Sequence, residues 1–137
     1  MSSEASAAAV TTPRAIVAGH GDFAAGLVSA VEQITGRGAQ LIPVSVQGLS
    51  VEDIERLLRT RMHDANVHVI FTDLQAGSCT MASRRILRGV NDAVLIAGTN
   101  LPMLLDFVFA DTRTPPDAAR HAAERGRAAI AVHGATA

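Results

Sequence analysis

The sequence predicts an α/β fold built on a parallel sheet with right-handed crossovers. Three observations point there. Four short apolar runs alternate with segments of helical period, the pattern of strand–helix–strand units. Three loops with unusual chemistry, at 19–22, 73–78 and 98–101, each follow one of those runs, and in an open sheet of this kind such loops converge on one rim. The chain is 137 residues long and 48% apolar, enough for one domain with a core of its own.

Residues 1–13, MSSEASAAAVTTP, are small and polar and end at a proline. They read as a disordered N-terminal tail ahead of a single domain over 14–137. The first strand is about 15–19, an apolar run that breaks at Gly19-His20-Gly21. A helix over about 22–36 follows, with Phe23, Leu27, Val31 and Ile34 at helical period. Asp22 is placed to cap it through its carboxylate, and Gly36 and Gly38 end it. The second strand spans Ala39 to Val46, with Pro43 arguing for a position near an edge. Ser50-Val51-Glu52-Asp53 opens a helix over about 51–63 in the manner of a capping box. Its apolar face is Val51, Ile54, Leu57, Leu58 and Met62.

The third strand is Val67 to Thr72. A helix over about 79–89 follows its loop, with Met81, Ile86 and Leu87 expected inward. The fourth strand, Ala93 to Ala97, is a continuous apolar run and is expected to be buried. Asn100 is placed to cap the next helix, where Pro102 sits in the first turn and Met103, Leu104, Phe107 and Val108 form the inner face. Pro115-Pro116 breaks the chain, and 117–132 reads as a last, alanine-rich helix.

Composition narrows the function. The net charge is −1 with no basic arm, so nucleic acid is not an expected partner. No apolar run approaches the roughly 20 residues needed to cross a bilayer, and no signal peptide is read at the N-terminus. The single cysteine, Cys79, excludes an internal disulfide and fits a reducing cytoplasm. It reads as a small buried residue. His63, His68, His121 and His133 are scattered without metal-ligand spacing, and no metal or cofactor is expected.

The chemistry gathers at the rim. His20 stands between two glycines at the carboxyl end of a strand, where the backbone turns sharply and the imidazole is uncrowded. A carboxylate such as Asp73 beside one ring nitrogen would hold that N–H and leave the other nitrogen its lone pair, as a nucleophile. Helix N-termini and free backbone N–H groups suit a phosphate dianion, and Ser78 can add a hydroxyl donor or cap its helix. This set suits transient phosphorylation of His20 better than hydrolysis, because no serine or cysteine nucleophile stands beside the histidine. Arg84, Arg85 and Arg88 follow the second loop as a solvated helix face or a contact for an acidic partner.

GHGDFAAGL, FTDLQAGSCTMASR and AGTNLPMLL, in this order and spacing, resemble the IIA component of the mannose-type sugar phosphotransferase system, most of all its N-acetylgalactosamine-type members. The resemblance covers about 15–110. It implies a three-layer open sheet of mostly parallel strands with helices on both faces. It also implies a cytoplasmic phosphocarrier that takes a phosphoryl group from the histidine-phosphorylated carrier HPr and passes it to a IIB component, serving membrane IIC and IID subunits indirectly. His20 matches the phosphorylated histidine, Asp73 the carboxylate that orients its ring, and Ser78 a hydroxyl close to the phosphoryl group. A homodimer is implied too, often with an edge strand exchanged near the C-terminus. The IIB component is expected to be a separate protein.

The chain departs from that pattern after Asp73, where the usual Gly-Gly-Ser/Thr-Pro is replaced by Ala76-Gly77-Ser78-Cys79. If the backbone at 76 needs positive φ, alanine there costs about 1 kcal/mol. No β-branched run is evident after 115 to supply an exchanged strand. Two other readings share the fold: a regulatory phosphoprotein not coupled to sugar uptake, and a phosphotransfer subunit of dihydroxyacetone kinase.

Overall fold

Apolar runs and helical segments alternate in the computed structural model as they do in the sequence. The structure describes residues 11–136, so most of the expected tail lies outside the described residues. Strand β1 is Ala15–Gly19 and helix α1 is Phe23–Thr35. A single 3-10 turn at Gly38–Gln40 leads into β2, Leu41–Ser45. There follow α2 (Val51–Ala65), β3 (Val69–Thr72), α3 (Ser78–Leu87), β4 (Val94–Ala97), α4 (Leu101–Phe109) and α5 (Pro115–Ala128).

The strands form one sheet in the order β2-β1-β3-β4, and every pairing is parallel. Alternate residues of the two central strands feed two separate cores, because successive side chains point to opposite faces. Ala15, Val17, Val69 and Phe71 pack with Val31, Leu104, Phe107 and Ala122, from α1, α4 and α5. Phe71 and Phe107 meet edge to face at 5.1 Å. Ile16, Ala18 and Ile70 pack with Ile54, Leu58 and Ile86, from α2 and α3. The sheet therefore carries helices on both faces, in three layers. Because α1 and α3 leave β1 and β3 toward opposite faces, the carboxyl ends of these neighbouring strands open a crevice.

Several local expectations hold. Pro43 lies on β2 at one edge of the sheet. The Ser50 hydroxyl accepts from the Asp53 N–H at 3.1 Å, and Asn100 Oδ1 accepts from the Met103 N–H at 3.1 Å.

Others are corrected. Asp22 precedes α1 without a side-chain cap, because its backbone (φ −91°, ψ 15°) is not in the extended conformation that capping uses. Met81 is not inward but 52% exposed. The stripe that α3 buries is Cys79, Ala82, Ser83 and Ile86, at spacings of three and four, and Met81 lies off it. Leu87 is only half-buried. Strand β4 is not fully buried either: all four of its residues are half-buried, because it forms the other edge of the sheet. Finally, Pro115-Pro116 begins the last helix rather than breaking the chain before it, and that helix ends at Ala128. Proline in a first turn gives up an N–H that has no helical partner anyway.

One residue that composition reading passed over ties the far end of the sheet together. Arg14 donates to Gln40 Oε1, to the Phe107 carbonyl and to the Ala110 carbonyl, each at 3.0 Å. Its guanidinium also stacks 4.5 Å from the centre of the Phe107 ring.

Candidate functional site

Strand β1 ends at Gly19, and the chain turns at once: Gly21 has φ of +51°, and the Phe23 N–H closes the turn on the His20 carbonyl at 3.0 Å. Asp73 follows the last residue of β3. Since β1 and β3 are adjacent, His20 and Asp73 meet although 53 residues separate them. The approach depends on Gly19. A Cβ there would lie 2.9 Å from the Asp73 carboxyl carbon and 2.6 Å from the Phe23 ring, closer than real contacts allow.

One carboxylate oxygen makes both bonds to the histidine. Asp73 Oδ2 accepts from the His20 backbone N–H at 2.8 Å and lies 2.6 Å from Nδ1 of its ring. An ionised carboxylate only accepts, so the proton of this bond sits on Nδ1, and in the neutral ring Nε2 is the nitrogen that carries the lone pair. The ring is open while its partner is sheltered: the His20 side chain is 59% exposed and that of Asp73 11%. Burial alone would push the Asp73 carboxyl up. The hydrogen bonds from the His20 backbone and ring, with the charge of the ring, outweigh it and hold the carboxyl below its ordinary range. The pair is therefore a sheltered carboxylate fixing an exposed imidazole through its Nδ1–H.

The loop after Asp73 closes on the ring. Gly77 is fully extended, and a Cβ on it would lie 3.5 Å from His20 Cε1. The first turn of α3 follows directly, with Ser78 at its first position. The Ser78 side chain does not cap the helix and has no hydrogen-bond partner among the described residues. An N-terminus with unsatisfied N–H groups and one hydroxyl thus stands beside the imidazole, an arrangement suited to phosphoryl oxygens. The alanine at 76 carries no strain: among the described residues only Asn66 and Ala135 are non-glycine residues with positive φ. The backbone there does not need the conformation that would have penalised it.

Cys79 is buried, and burial together with the Asp73 charge pushes its thiol up to about 11, so it is not a nucleophile at neutral pH. The third rim loop contributes through the backbone. The Gly98 and Thr99 N–H groups both donate to the Thr72 carbonyl at 3.0 Å. Asn100 is spent on its cap and on the Gly126 carbonyl, to which it donates at 2.9 Å.

Two residues that the sequence did not single out lie under the loop. The Thr72 and Thr80 hydroxyls are buried and 2.6 Å apart, and Thr80 also donates to the Leu74 carbonyl. Their spacing of eight residues is not a motif, and only the fold brings them together. Arg84, Arg85 and Arg88 line an open groove of about 500 Å³ with Gln75, Ala76 and Gly77. Arg85 is turned toward Glu52, 3.3 Å away. Of the other histidines, His121 sits 2.7 Å from Asp106, joining α4 and α5. Among the described residues no group of three or more His, Cys, Asp or Glu is placed to hold a metal, and no helix is long and apolar enough to cross a membrane.

Comparison with known proteins agrees with this architecture. Several solved structures share the fold, among them these three. EIIA of a phosphotransferase system from Streptococcus agalactiae is 24% identical, over 82% of this chain and 93% of its own, with a TM-score of 0.69. The mannose/sorbose-specific IIA subunit from Enterococcus faecalis is 18% identical, over 92% and 98%, with a TM-score of 0.76. A IIA protein associated with the fucose utilization operon of Streptococcus pneumoniae is 19% identical, over 82% and 89%, with a TM-score of 0.70. At these identities the likeness speaks for the fold alone. No curated protein matches the sequence significantly. The family described as the fructose IIA component of the phosphotransferase system, EIIA-man, matches residues 14–124, which include both His20 and Asp73. The chain belongs to this family of mannose-type IIA phosphocarrier components of the sugar phosphotransferase system.

Proposed function

We propose that His20 is the residue phosphorylated in this carrier, receiving its phosphoryl group from phospho-HPr and yielding it to a IIB component. The observation that carries the reading is the 2.6 Å contact between His20 Nδ1 and Asp73 Oδ2. It leaves Nε2 as a free nucleophile on an exposed ring. Nε2 attacks the phosphorus in line; a P–N bond forms as the P–N bond to the donor histidine breaks, and the donor imidazole leaves. The His20 ring gains positive charge as its lone pair is used, and the Asp73 carboxylate stabilises that charge without taking the Nδ1 proton. The first-turn N–H groups of α3 and the Ser78 hydroxyl receive the phosphoryl oxygens. Transfer to IIB is the same step reversed onto a new acceptor. The exchange runs in the cytoplasm, and 14–137 acts as a single carrier domain.

The protein acts as a homodimer in this reading. Support comes from the open edge at β4 and from the segment after α5, where Ile130 is 73% and Val132 92% exposed. An unpaired edge and an apolar, unpaired segment are complementary in the way strand exchange requires. Ending the chain after Ala128 should convert a dimer to a monomer in sedimentation equilibrium. A full-length chain that is monomeric at high concentration would remove the dimer from the proposal.

The decisive test is phosphotransfer in vitro. Incubation with phosphoenolpyruvate, enzyme I and HPr should add one acid-labile phosphoryl group, seen by intact mass, and His20→Ala should take none. Transfer of that group to a IIB protein establishes the full relay. Phosphorylation that survives His20→Ala would assign the site elsewhere.

A further inference from the structure

We infer that Thr80 is a positioning residue for the transfer: its buried hydroxyl holds the loop that presents Asp73 to His20. The inference rests on the phosphocarrier reading for its kinetic consequence, but its geometry stands apart from that reading.

The direction of the hydrogen bonds is determined. A hydroxyl has one proton to donate. Thr80 spends its proton on the Leu74 carbonyl, so in its contact with Thr72 it accepts, and the Thr72 hydroxyl donates. The chain of bonds runs from Thr72 through Thr80 to Leu74. These are the residues immediately before and after Asp73, together with one in the first turn of α3. The Thr72 carbonyl is held as well, by the Gly98 and Thr99 N–H groups. The peptide unit before Asp73 is thereby held by the Gly98 and Thr99 N–H groups and the carbonyl one residue after it by Thr80, and the carboxylate is left little freedom to leave the ring.

The Leu74 side chain is exposed, so its apolar burial does little to hold this loop. The clamp does. It also joins the aspartate loop to the N-terminus of α3, the group placed to receive phosphoryl oxygens. Asp73 and the helix N-terminus are thus set relative to each other by one hydroxyl. Reactions of this kind are sensitive to displacements of about 1 Å, which can cost on the order of 10²-fold in rate.

The test uses the full chain with Thr80→Val, which keeps the shape and removes the hydroxyl, and Thr80→Ser, which restores it. Two readouts are taken. The first is the nitrogen NMR of His20 in the unphosphorylated protein, which needs no donor and reports the Nδ1–H tautomer and its hydrogen bond. The second is the rate of phosphorylation by phospho-HPr. Thr80→Val should mix the tautomers, move the Nδ1 proton upfield and slow phosphorylation by about tenfold or more. Thr80→Ser should recover both, and Thr72→Val should show a smaller loss. A folded Thr80→Val with the wild-type tautomer and rate overturns the inference, and so does a loss that serine fails to rescue. Absence of phosphorylation in the wild type would count against the phosphocarrier reading, while the tautomer comparison would still decide the clamp.

Discussion

At the residue scale the site reduces to one oxygen and two N–H groups. Asp73 Oδ2 receives the backbone and the ring of the same histidine, so it fixes both the position and the tautomer of the imidazole. Asp73→Asn keeps a hydrogen-bond acceptor of the same size but removes the charge that, in the proposed mechanism, stabilises the ring as it takes the phosphoryl group. It should leave the fold intact and slow phosphoryl acceptance by about 10²-fold or more, measured by quenched flow with phospho-HPr. The same pair sets an acid limit. The folded-state pKa of Asp73 lies below its ordinary value of 3.8, so the unfolded chain binds its proton first as pH falls. The stability this pair contributes is fully present above that value, declines as pH drops through it, and is gone below the lowered folded value. Thermal midpoints should therefore fall more steeply below pH 3.8 in the wild type than in Asp73→Asn. His20 and Asp73 were both legible in the sequence, because a histidine between glycines and an aspartate after a strand are local signals. The Thr72–Thr80 clamp was not legible, since neither residue is unusual where it stands.

At the scale of elements, side-chain caps form where the cap residue has extended backbone and are missing where it does not. Ser50 and Asn100 cap as their residue types suggest, whereas Asp22, with φ of −91° and ψ of 15°, makes no side-chain cap. Asn100 has a second role: its Nδ2 donates to the Gly126 carbonyl, so one side chain starts α4 and anchors α5. Asn100→Ala removes both bonds and leaves the carbonyl of the buried Gly126 without this donor. A loss of about 1–2 kcal/mol is expected in urea unfolding, with phosphorylation of His20 unchanged, because Asn100 touches neither His20 nor Asp73. The orientation of α3 differs from the expected one for a physical reason. Its buried stripe is made of small residues and one isoleucine, so the helix packs closely, and the larger Met81 is left outside.

At the scale of the whole molecule, the two ends of the sheet serve different purposes. The carboxyl end holds the histidine site; the amino end is closed by Arg14, whose guanidinium satisfies three oxygens, one on β2's approach and two at the C-terminal end of α4. Arg14→Ala strands those acceptors in a part-buried place and removes the stacking on Phe107. It should lower stability by about 1–3 kcal/mol, read as a shift of the urea midpoint at constant slope, and leave phosphotransfer per folded molecule unaltered. An experiment that found transfer lost with stability intact would contradict this division between the ends.

The alternation of strands and helices, the helix starts at Ser50 and Asn100, and the sharp turn around His20 depend on residues within a few positions of one another, and periodicity and turn chemistry were sufficient to determine them. Sheet order is different in kind. That β1 lies between β2 and β3 is decided by how the two cores pack, and only that neighbourhood brings Asp73 to a histidine 53 residues away. The half-burial of β4 follows from the same order, because an apolar strand at an edge has a neighbour on one side only. Local signals determined which groups were available for chemistry; long-range packing decided which of them meet.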